Sequence, residues 1–386
     1  MEIRFAFPDL KLVRHLAEAP EAPSVSLYLA PLRGDVPTAN RARRLAQLLR
    51  DAARLLARAG LASDDAERCL APALPLTANG NLQEHPEDGL ALFLRVGEAR
   101  GVIVPHSGEE HLHVGPRFYL RPLLGLQLDP FHVLTLSQTG ARLFDCAHGT
   151  VRKVELGDAA SLELTLGAQK EPQNLGRHSG SRAGAGVGRM PAIVHGSGVG
   201  KQSAKSEGTQ YLLRVAAVVD RHLASHTSSL VLAGVEHMVA AYRHVARYPH
   251  IAPEALRGNF DDTPAVTLRD LAAPLALAPQ REAAAHAVAR FDTLHRRGRA
   301  SGDLPTVLAA ARAGRVETLL LDADSHVWGV FDTAHGEVRR HPAPAPGDDD
   351  LLDAAATWTL RHRGRVLTVA APGLPSGVPA VGFFRF

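Results

Sequence analysis

The segment 195–204 holds the residues of this sequence whose types and spacing come closest to a reactive group. It reads HGSGVGKQSA, so Gly196, Gly198 and Gly200 alternate with other residues just before Gln202. A glutamine amide is not a strong base, but beside backbone N–H groups it can orient a water against an ester carbonyl and stabilise the developing oxyanion. The pattern therefore indicates Gln202 as a candidate catalytic residue, with the three glycines as the hinge that presents it before a helix.

The wider segment 172–206 is rich in glycine and in positive charge. It contains eight glycines, five lysine or arginine residues, and no aspartate or glutamate. Glycine-rich sequence without apolar periodicity is typical of a mobile loop, and clustered cations favour contact with phosphate. Two interpretations stay open, a mobile linker and a basic loop that contacts RNA. The candidate RNA-binding or ribosome-binding residues are Arg177, Arg182, Arg189, Lys201 and Lys205.

Other motifs with chemical potential are weaker. A nucleotide-binding P-loop would need glycine and a hydroxyl residue at the positions of His195 and Gln202. His111 and His113 have the spacing of two metal ligands on one strand face, but no third ligand is evident, which favours exposed strand histidines. The acidic run 348–350 is best explained as the start of a helix, and no GxSxG nucleophile motif occurs. The sequence therefore predicts no metal and no cofactor.

The composition is that of a folded protein of several domains. The chain has 386 residues, of which 45% are hydrophobic and 22% charged, and its net charge is only +3. Any contact with nucleic acid must therefore come from a local basic surface, and no specificity for DNA is indicated. The two cysteines, Cys69 and Cys146, lack CxxC spacing and are expected to be buried thiols. Since no apolar run is long enough to cross a bilayer and no signal-peptide core occurs, we expect a cytoplasmic protein without membrane contact.

Apolar periodicity predicts a mixed α/β (α+β) fold of three domains, each a small sheet flanked by helices: 1–129, 130–264 and 265–386. In the first domain, strands are predicted at 25–29, 90–94, 102–104 and 111–114, and helices at 39–59 and from Ser63, which we expect to be an N-cap.

The middle domain is predicted to begin with a β-hairpin and a third strand, at 133–136, 141–144 and 151–156. After the basic segment follow a helix at 208–224, a strand at 230–233 and a helix from Glu236. The last domain opens with a helix over 268–296 that is broken around Pro274 and Pro279, because proline removes a helical hydrogen bond. The remaining elements are helices at 304–313 and 349–360 and strands at 316–321, 366–369 and 381–384.

Several phrases resemble one protein family. They are LVLAGVEH at 230–237, YPH at 248–250 followed by GN at 258–259, GRASGDL at 298–304 and GRVETLLL at 314–321. Together with the order of elements and the basic glycine loop, they look like the bacterial archaeo-eukaryotic release factor group, third family, over about residues 24–386. The resemblance implies that the middle and C-terminal parts are release-factor-like or Pelota-like.

For function, the resemblance implies a translation termination or ribosome-rescue factor. In such release factors the corresponding loop carries Gly-Gly-Gln, whereas here Lys201 stands between Gly200 and Gln202. Lysine reaches the backbone conformations of glycine less easily, so we expect a non-catalytic or weakly catalytic factor that contacts the ribosome or a tRNA. Its C-terminal domain would bind a protein partner. The alternative is a peptidyl-tRNA hydrolase in which Gln202 positions water. A third alternative, an unrelated hydrolase or nuclease, has no acid or nucleophile cluster in the sequence to support it.

Overall fold

β-Sheets covered by helices account for most of the structure, which is a computed structural model. It describes residues 3–32, 38–78, 82, 88–104, 110–126, 129–147, 150–161, 199–345, 347–369 and 373–386, with the backbone alone for 38–40, 78, 199–207 and 376. The chain divides into two compact units, which we call the terminal unit (Met1–Asp129 with Pro279–Phe386) and the middle unit (Pro130–Ala278). Among the described residues, no helix has the length and apolarity to cross a membrane.

The N-terminal part of the terminal unit is a sheet with helices packed on it. Its strands are β1 (Phe5–Ala6), β2 (Ser24–Leu29), β3 (Gly89–Arg95), β4 (Glu98–Val104) and β5 (His111–Gly115). Its helices are α1 (Leu10–Glu18), α2 (Thr38–Arg58), α3 (Ser63–Leu70), α4 (Pro75–Ala78) and α5 (Arg121–Leu124), with a 3-10 turn at Ala71–Ala73. The described strands pair in the order β1-β4-β3-β2-β5, in which only the β1–β4 pair is parallel.

Helix α2 lies on this sheet through one apolar face. Leu45, Leu49 and Leu56 recur at helical spacing and are buried in one cluster with Val25 and Leu27 of β2. The predicted strands and the long helix of this region are confirmed. Ser63 is not the N-cap of α3 but its first residue, because the cap position falls on Ala62, which makes no side-chain capping bond.

The middle unit is a sheet between two layers of helices. Its strands are β6 (Phe131–Leu136), β7 (Ala141–Ala147), β8 (Thr150–Val154), β9 (Leu230–Gly234) and β10 (Ile251–Arg257). Its helices are α6 (Val199–Leu223), α7 (Glu236–Val245) and α8 (Ala265–Ala276), with a 3-10 turn at Gly157–Ala160. The described strands pair in the order β10-β9-β6-β7-β8, as an antiparallel meander of β6, β7 and β8 to which β9 and β10 add in parallel.

Alternation along β6 divides the core of the middle unit into two halves. Leu134 packs with Tyr211 and Val219 of α6, whereas its neighbour Val133 packs with Leu268 of α8 on the other face. Successive side chains of a strand point to opposite faces, so this one strand contributes to both layers. The meander, β9 and α7 follow the sequence prediction. Strand β10 was not predicted.

The C-terminal part of the terminal unit contains two small sheets. Its helices are α9 (Ala278–Ala289), α10 (Phe291–Arg296), α11 (Leu304–Arg312) and α12 (Leu351–Arg361), with a 3-10 turn at Pro375–Gly377. Its strands are β11 (Ala300–Ser301), β12 (Val316–Asp322), β13 (Trp328–Asp332), β14 (Glu337–His341), β15 (Asp349–Asp350), β16 (Arg365–Val369) and β17 (Ala380–Phe384). The described strands pair as β11-β17-β12-β16 and as β14-β13-β15.

The mixed α/β class, with small sheets flanked by helices, is confirmed. The predicted break around Pro274 and Pro279 is confirmed, because α8 ends at Ala276 and α9 begins at Ala278, between the two prolines. Pro274 itself lies inside α8. Pro279 is the second residue of α9, where a missing N–H costs no helical hydrogen bond. The division into the three domains 1–129, 130–264 and 265–386 stays a prediction.

Candidate functional site

Part of the predicted basic loop is helical. The backbone of Gly200, Lys201, Gln202 and Lys205 belongs to α6, which begins at Val199. The prediction of a loop is therefore wrong for residues 199–206, whereas the hinge role of Gly200 stays a prediction. Lysine, glutamine and alanine are good helix formers, so this stretch extends the helix despite its glycine. The other predicted site residues lie outside the described part of the chain: Arg177, Arg182, Arg189, Gly196 and Gly198.

The start of α6 places Gln202 in the first turn of a 25-residue helix. The N–H groups of a first turn have no acceptor within the helix, and the helix dipole makes this end partly positive. An anionic or polarised group that approaches residues 199–202 would therefore meet backbone donors as well as the positive charge of the segment. This environment favours phosphate and a developing oxyanion.

A second group of polar side chains lies where the C-terminal end of α6 meets β6 and β7, and we call it the histidine cluster: His132, His222, His226 and Asp145. His132 Nδ1 lies 2.9 Å and His222 Nε2 3.0 Å from Asp145 Oδ1. The rings of His226 and His132 are perpendicular, with centroids 5.3 Å apart. Strand register brings the cluster together, because His132 on β6 is directly opposite Asp145 on β7.

The charges of the histidine cluster are set by burial and by hydrogen bonds. Partial burial opposes ionisation of Asp145, but hydrogen bonds from His222 and His132 outweigh it and lower the pKa of this carboxyl. Burial lowers the pKa of His132, although the neighbouring Asp145 works in the opposite direction. At neutral pH the cluster therefore contains a carboxylate beside a neutral His132 imidazole. Arg152 Nη2 lies 2.6 Å from the other carboxylate oxygen.

Ser228 completes the chain of contacts at the surface of the middle unit. Its Oγ lies 2.9 Å from His132 Nε2, and the residue is partly exposed. The sequence analysis missed these residues, because 132, 145, 222 and 228 share no motif and only the strand register and the course of α6 bring them together. The available signal was His132 itself, since this histidine interrupts a strand that is otherwise mostly apolar.

Residues 130–315 match bacterial archaeo-eukaryotic release factor family 3. This range includes the whole middle unit, from the basic segment through the histidine cluster. Over these residues the chain is similar to that family. No curated protein sequence matches the chain significantly.

The solved structures that match the chain include three archaeal proteins. Archaeal translation termination factor aRF1 is 14% identical with a TM-score of 0.25, over 97% of this chain and 96% of that chain. Pelota of Archaeoglobus fulgidus is 11% identical with a TM-score of 0.34, over 98% and 93%. Archaeal Pelota in a ribosome-bound model with ABCE1 is 13% identical with a TM-score of 0.36, over 76% and 73%. None of these values is high enough to transfer a function.

Outside the family 3 region, the terminal unit contains a buried acidic network. Asp350 caps α12, since it accepts a hydrogen bond from Leu352 N at 3.1 Å, as predicted for the run 348–350. Asp349 forms an ion pair with the buried Arg117. Burial raises the pKa of Asp349 although Arg117 and His113 oppose the shift, and burial with the nearby Asp350 and Asp349 raises that of Asp353 well above its usual range.

The histidine pair of β5 differs from its prediction. His113 is 7% exposed, so the interpretation as exposed strand histidines is wrong for it, because it packs between the Tyr119 ring and Asp349. His111 stacks beside it with ring centroids 6.5 Å apart. Burial lowers the pKa of His111 to about 4 and also lowers that of His113, so both rings are neutral. Among the described residues, no group of three side chains could hold a metal ion.

The same unit has an open pocket of about 760 Å³, and most of the residues that line it lie outside the family 3 region. Glu21 at this pocket accepts a hydrogen bond from Trp358 Nε1 at 3.1 Å and faces Arg117 and Arg312 at 3.7 and 3.8 Å. Both guanidinium groups lie over the Trp358 ring, at 4.7 and 5.5 Å from its centroid. The pocket has the size of a small-molecule site, and its charges are largely paired.

Proposed function

We propose that the protein is a translation termination or ribosome-rescue factor that contacts the ribosome or a tRNA through the segment 172–206. The observation that carries the proposal is the family 3 match, which contains this segment completely. We also propose that the C-terminal part of the chain binds a protein partner.

Electrostatics supports RNA as the partner of this segment. The segment contains five cationic residues within 35 positions and no acidic residue, while the whole chain has a net charge of only +3. Each lysine or arginine that neutralises a phosphate releases counterions, which makes binding favourable at low salt and steeply dependent on salt. The positive end of α6 adds backbone donors where the segment ends.

Lys201 favours a non-catalytic or weakly catalytic role. It occupies the position between Gly200 and Gln202 and lies in the first turn of α6. A helical backbone with a lysine at this position has fewer accessible conformations than a Gly-Gly pair in a loop. The factor would then act by occupying its site, as an adaptor.

Peptidyl-tRNA hydrolysis is the second candidate function. The observation that favours it is the place of Gln202 at the positive end of α6, next to backbone N–H groups that have no acceptor within the helix. There the Gln202 amide would orient water against the ester carbonyl, and the helix end would stabilise the oxyanion.

Co-sedimentation with purified ribosomes over a salt series tests the proposal. We expect the affinity of the wild type to fall steeply with salt. Neutralising Arg177, Arg182, Arg189, Lys201 and Lys205 together should weaken binding and reduce the slope of log K against log salt by roughly 0.7 to 0.9 for each lost phosphate contact.

A charge-matched variant controls for loss of charge as such. Helix α2 has five exposed arginines, Arg43, Arg44, Arg50, Arg54 and Arg58, and their neutralisation should leave ribosome binding unchanged. If this control loses binding and the variant of segment 172–206 keeps it, the contact lies on α2 and the proposal is wrong. The proposal also fails if the wild type does not co-sediment at low salt.

A further inference from the structure

We propose that Ser228, His132 and Asp145 form an acyl-transfer site, in which Ser228 is a nucleophile toward carboxylic esters. The three residues are linked in one line, with 2.9 Å from Ser228 Oγ to His132 Nε2 and 2.9 Å from His132 Nδ1 to Asp145 Oδ1. A nucleophile within hydrogen-bond reach of a base, which is itself oriented by a third group, is the geometric signature of covalent catalysis.

The tautomer of His132 follows from its two partners. A carboxylate can only accept, so His132 Nδ1 carries the hydrogen that is shared with Asp145. A neutral ring then has its free electron pair on Nε2, where the Ser228 hydroxyl donates to it. Hydrogen bonds from the histidines keep Asp145 ionised, and burial keeps His132 neutral, as a general base requires.

The backbone holds the nucleophile and the base in this relation. His132 N donates to Ser229 O at 2.8 Å, so the same residue binds the 228–229 segment by its main chain and by its ring. Tyr248 Oη donates to Ser228 O, and Tyr248 N donates to Asp220 Oδ1 at 3.0 Å. Ser228, in the connection between α6 and β9, is thus held in place by the start of β6 and by the segment that precedes β10.

Asp145 is held on both sides as well. His222 Nε2 donates to the oxygen that His132 uses, and Arg152 binds the second oxygen. These contacts come from α6 and β8, so the carboxylate cannot turn away from His132 without breaking two further interactions. A fixed carboxylate keeps the base in the productive tautomer and orientation.

The chemical step balances without a cofactor. Ser228 Oγ forms a bond to the carbonyl carbon of the ester while its proton passes to His132 Nε2. The alcohol leaves with that proton, and an acyl group stays on Ser228. Water then forms a bond to the acyl carbon, gives its proton to His132 Nε2 and releases the acid, and the proton returns to Ser228 Oγ. The net reaction is hydrolysis of one ester to an acid and an alcohol.

This site is separate from the one in the proposed function. Gln202 and His222 are 20 residues apart on α6, which at 1.5 Å per residue is about 30 Å. Ribosome binding through the segment 172–206 and acylation of Ser228 can therefore be present or absent independently. The substrate class is a small carboxylic ester that reaches a partly exposed serine.

The test uses a fluorophosphonate probe on the full-length protein, with the modified residue located by peptide mass spectrometry. We expect time-dependent addition of one phosphonyl group to Ser228, with release of fluoride, and no addition in Ser228→Ala. The adjacent Ser229→Ala is the matched control and should react like the wild type. Asp145→Asn and His132→Gln should slow the reaction by roughly 10² or more, the usual contribution of a general base.

Unchanged thermal melting curves show that each variant is folded. Asp145→Asn is nearly isosteric, so it keeps the test decisive where His132→Gln does not fold. The proposal is overturned if the wild type is not modified, if the probe adds to another residue, or if folded Asp145→Asn reacts as fast as the wild type. The last result would mean that the three residues form a structural hydrogen-bond chain only.

Discussion

Asp353 Oδ1 accepts a hydrogen bond from Leu120 N at 2.8 Å and so joins two residues that are 233 positions apart in the terminal unit. Asp353 is 1% exposed and lies on α12, one turn after the cap residue Asp350. The sequence neighbours of Leu120 and of Asp353 belong to the two chain segments of this unit. A buried carboxyl group therefore helps to connect the N-terminal and C-terminal segments.

Asp353→Asn should change the pH dependence of stability. Burial raises the pKa of Asp353, so above the unfolded value near 3.8 the unfolded chain loses a proton that the folded chain keeps. The stability that the protonated Asp353 contributes is therefore present at low pH and is lost as the pH rises toward the folded pKa. The variant keeps an acceptor for Leu120 N and has no proton to lose, so its stability relative to the wild type should increase by about 1 kcal/mol or more from pH 4.5 to pH 8.

Tryptophan fluorescence during urea unfolding measures this difference, since both tryptophans, Trp328 and Trp358, are in the terminal unit. Asp324→Asn replaces an exposed aspartate of the same unit and should leave the pH profile unchanged. If the unfolding free energies of the wild type and of Asp353→Asn change in parallel with pH, Asp353 does not have a raised pKa in the folded protein.

Arg117 and Asp349 should be strongly coupled. Both side chains are largely buried, and removal of one partner leaves a charge in a region of low dielectric constant. We expect Arg117→Met to cost about 3 kcal/mol of unfolding free energy, and the double variant with Asp349→Leu to cost less than the sum of the single variants by at least about 1 kcal/mol.

A double-mutant cycle by urea unfolding checks this coupling. Arg58→Met is the control, because Arg58 lines the same pocket, is exposed and has no ion pair among the described residues. Its effect should stay within about 0.5 kcal/mol. Additive single effects at Arg117 and Asp349 would show that the pair is not coupled.

His111 should make the terminal unit less stable in acid. Burial lowers its pKa to about 4, whereas the unfolded residue titrates near 6.5, so the unfolded chain binds the proton first as the pH falls. Stability from this group is complete above pH 6.5 and decreases toward pH 4, by no more than about 3 kcal/mol. His111→Phe should remove this decrease, because phenylalanine binds no proton. The substitution breaks no hydrogen bond of the buried His111 Nε2, since this atom has no partner among the described residues.

Urea unfolding at pH 7 and at pH 4.5 gives the two values that this comparison needs. His286→Gln changes an exposed histidine on α9 and serves as the control. A profile for His111→Phe that falls as steeply as that of the wild type would assign the acid sensitivity to another group.

Local patterns in the sequence were sufficient to predict much of the fold. Val25, Leu27 and Leu29 alternate along β2, and the apolar spacing of α2 fits one buried helix face, so both elements follow from short-range physics. The hairpin of β13 and β14 was missed because its strands are largely exposed and carry charges such as Arg339 and Arg340. Its turn signal was Gly336, which has φ of 72°.

The candidate site depends on long-range geometry. Ser228 and His132 are 96 positions apart, and their contact requires the parallel pairing of β6 with β9. Periodicity shows which face of a strand is apolar, but it does not fix the partner strand or the register. The histidine cluster therefore could not be predicted, although Gln202 and the basic segment were identified from local composition.

Lys201→Gly should loosen the first turns of α6 and thereby help to distinguish an adaptor function of the protein from a hydrolase function. Glycine costs up to about 1 kcal/mol relative to other residues in a helix, so amide hydrogen exchange should increase over residues 199–206. It should not increase from Tyr211 onward, where Tyr211, Val215 and Val219 anchor the helix in the core. Lys201→Ala is the matched control, since it removes the same charge but favours the helix.

In the hydrolase, Gln202→Ala should slow peptidyl-tRNA hydrolysis on purified ribosomes by about 10² to 10³, the usual effect of losing one oxyanion donor. Lys201→Gly should accelerate it, and Lys201→Ala should not, because the gain comes from backbone freedom and not from charge. In the adaptor, the wild type hydrolyses at background and none of the three variants changes the rate. Lys201 in the first turn of α6 favours the adaptor function over the hydrolase function. Hydrolysis by the wild type that is lost in Gln202→Ala would favour the hydrolase function instead.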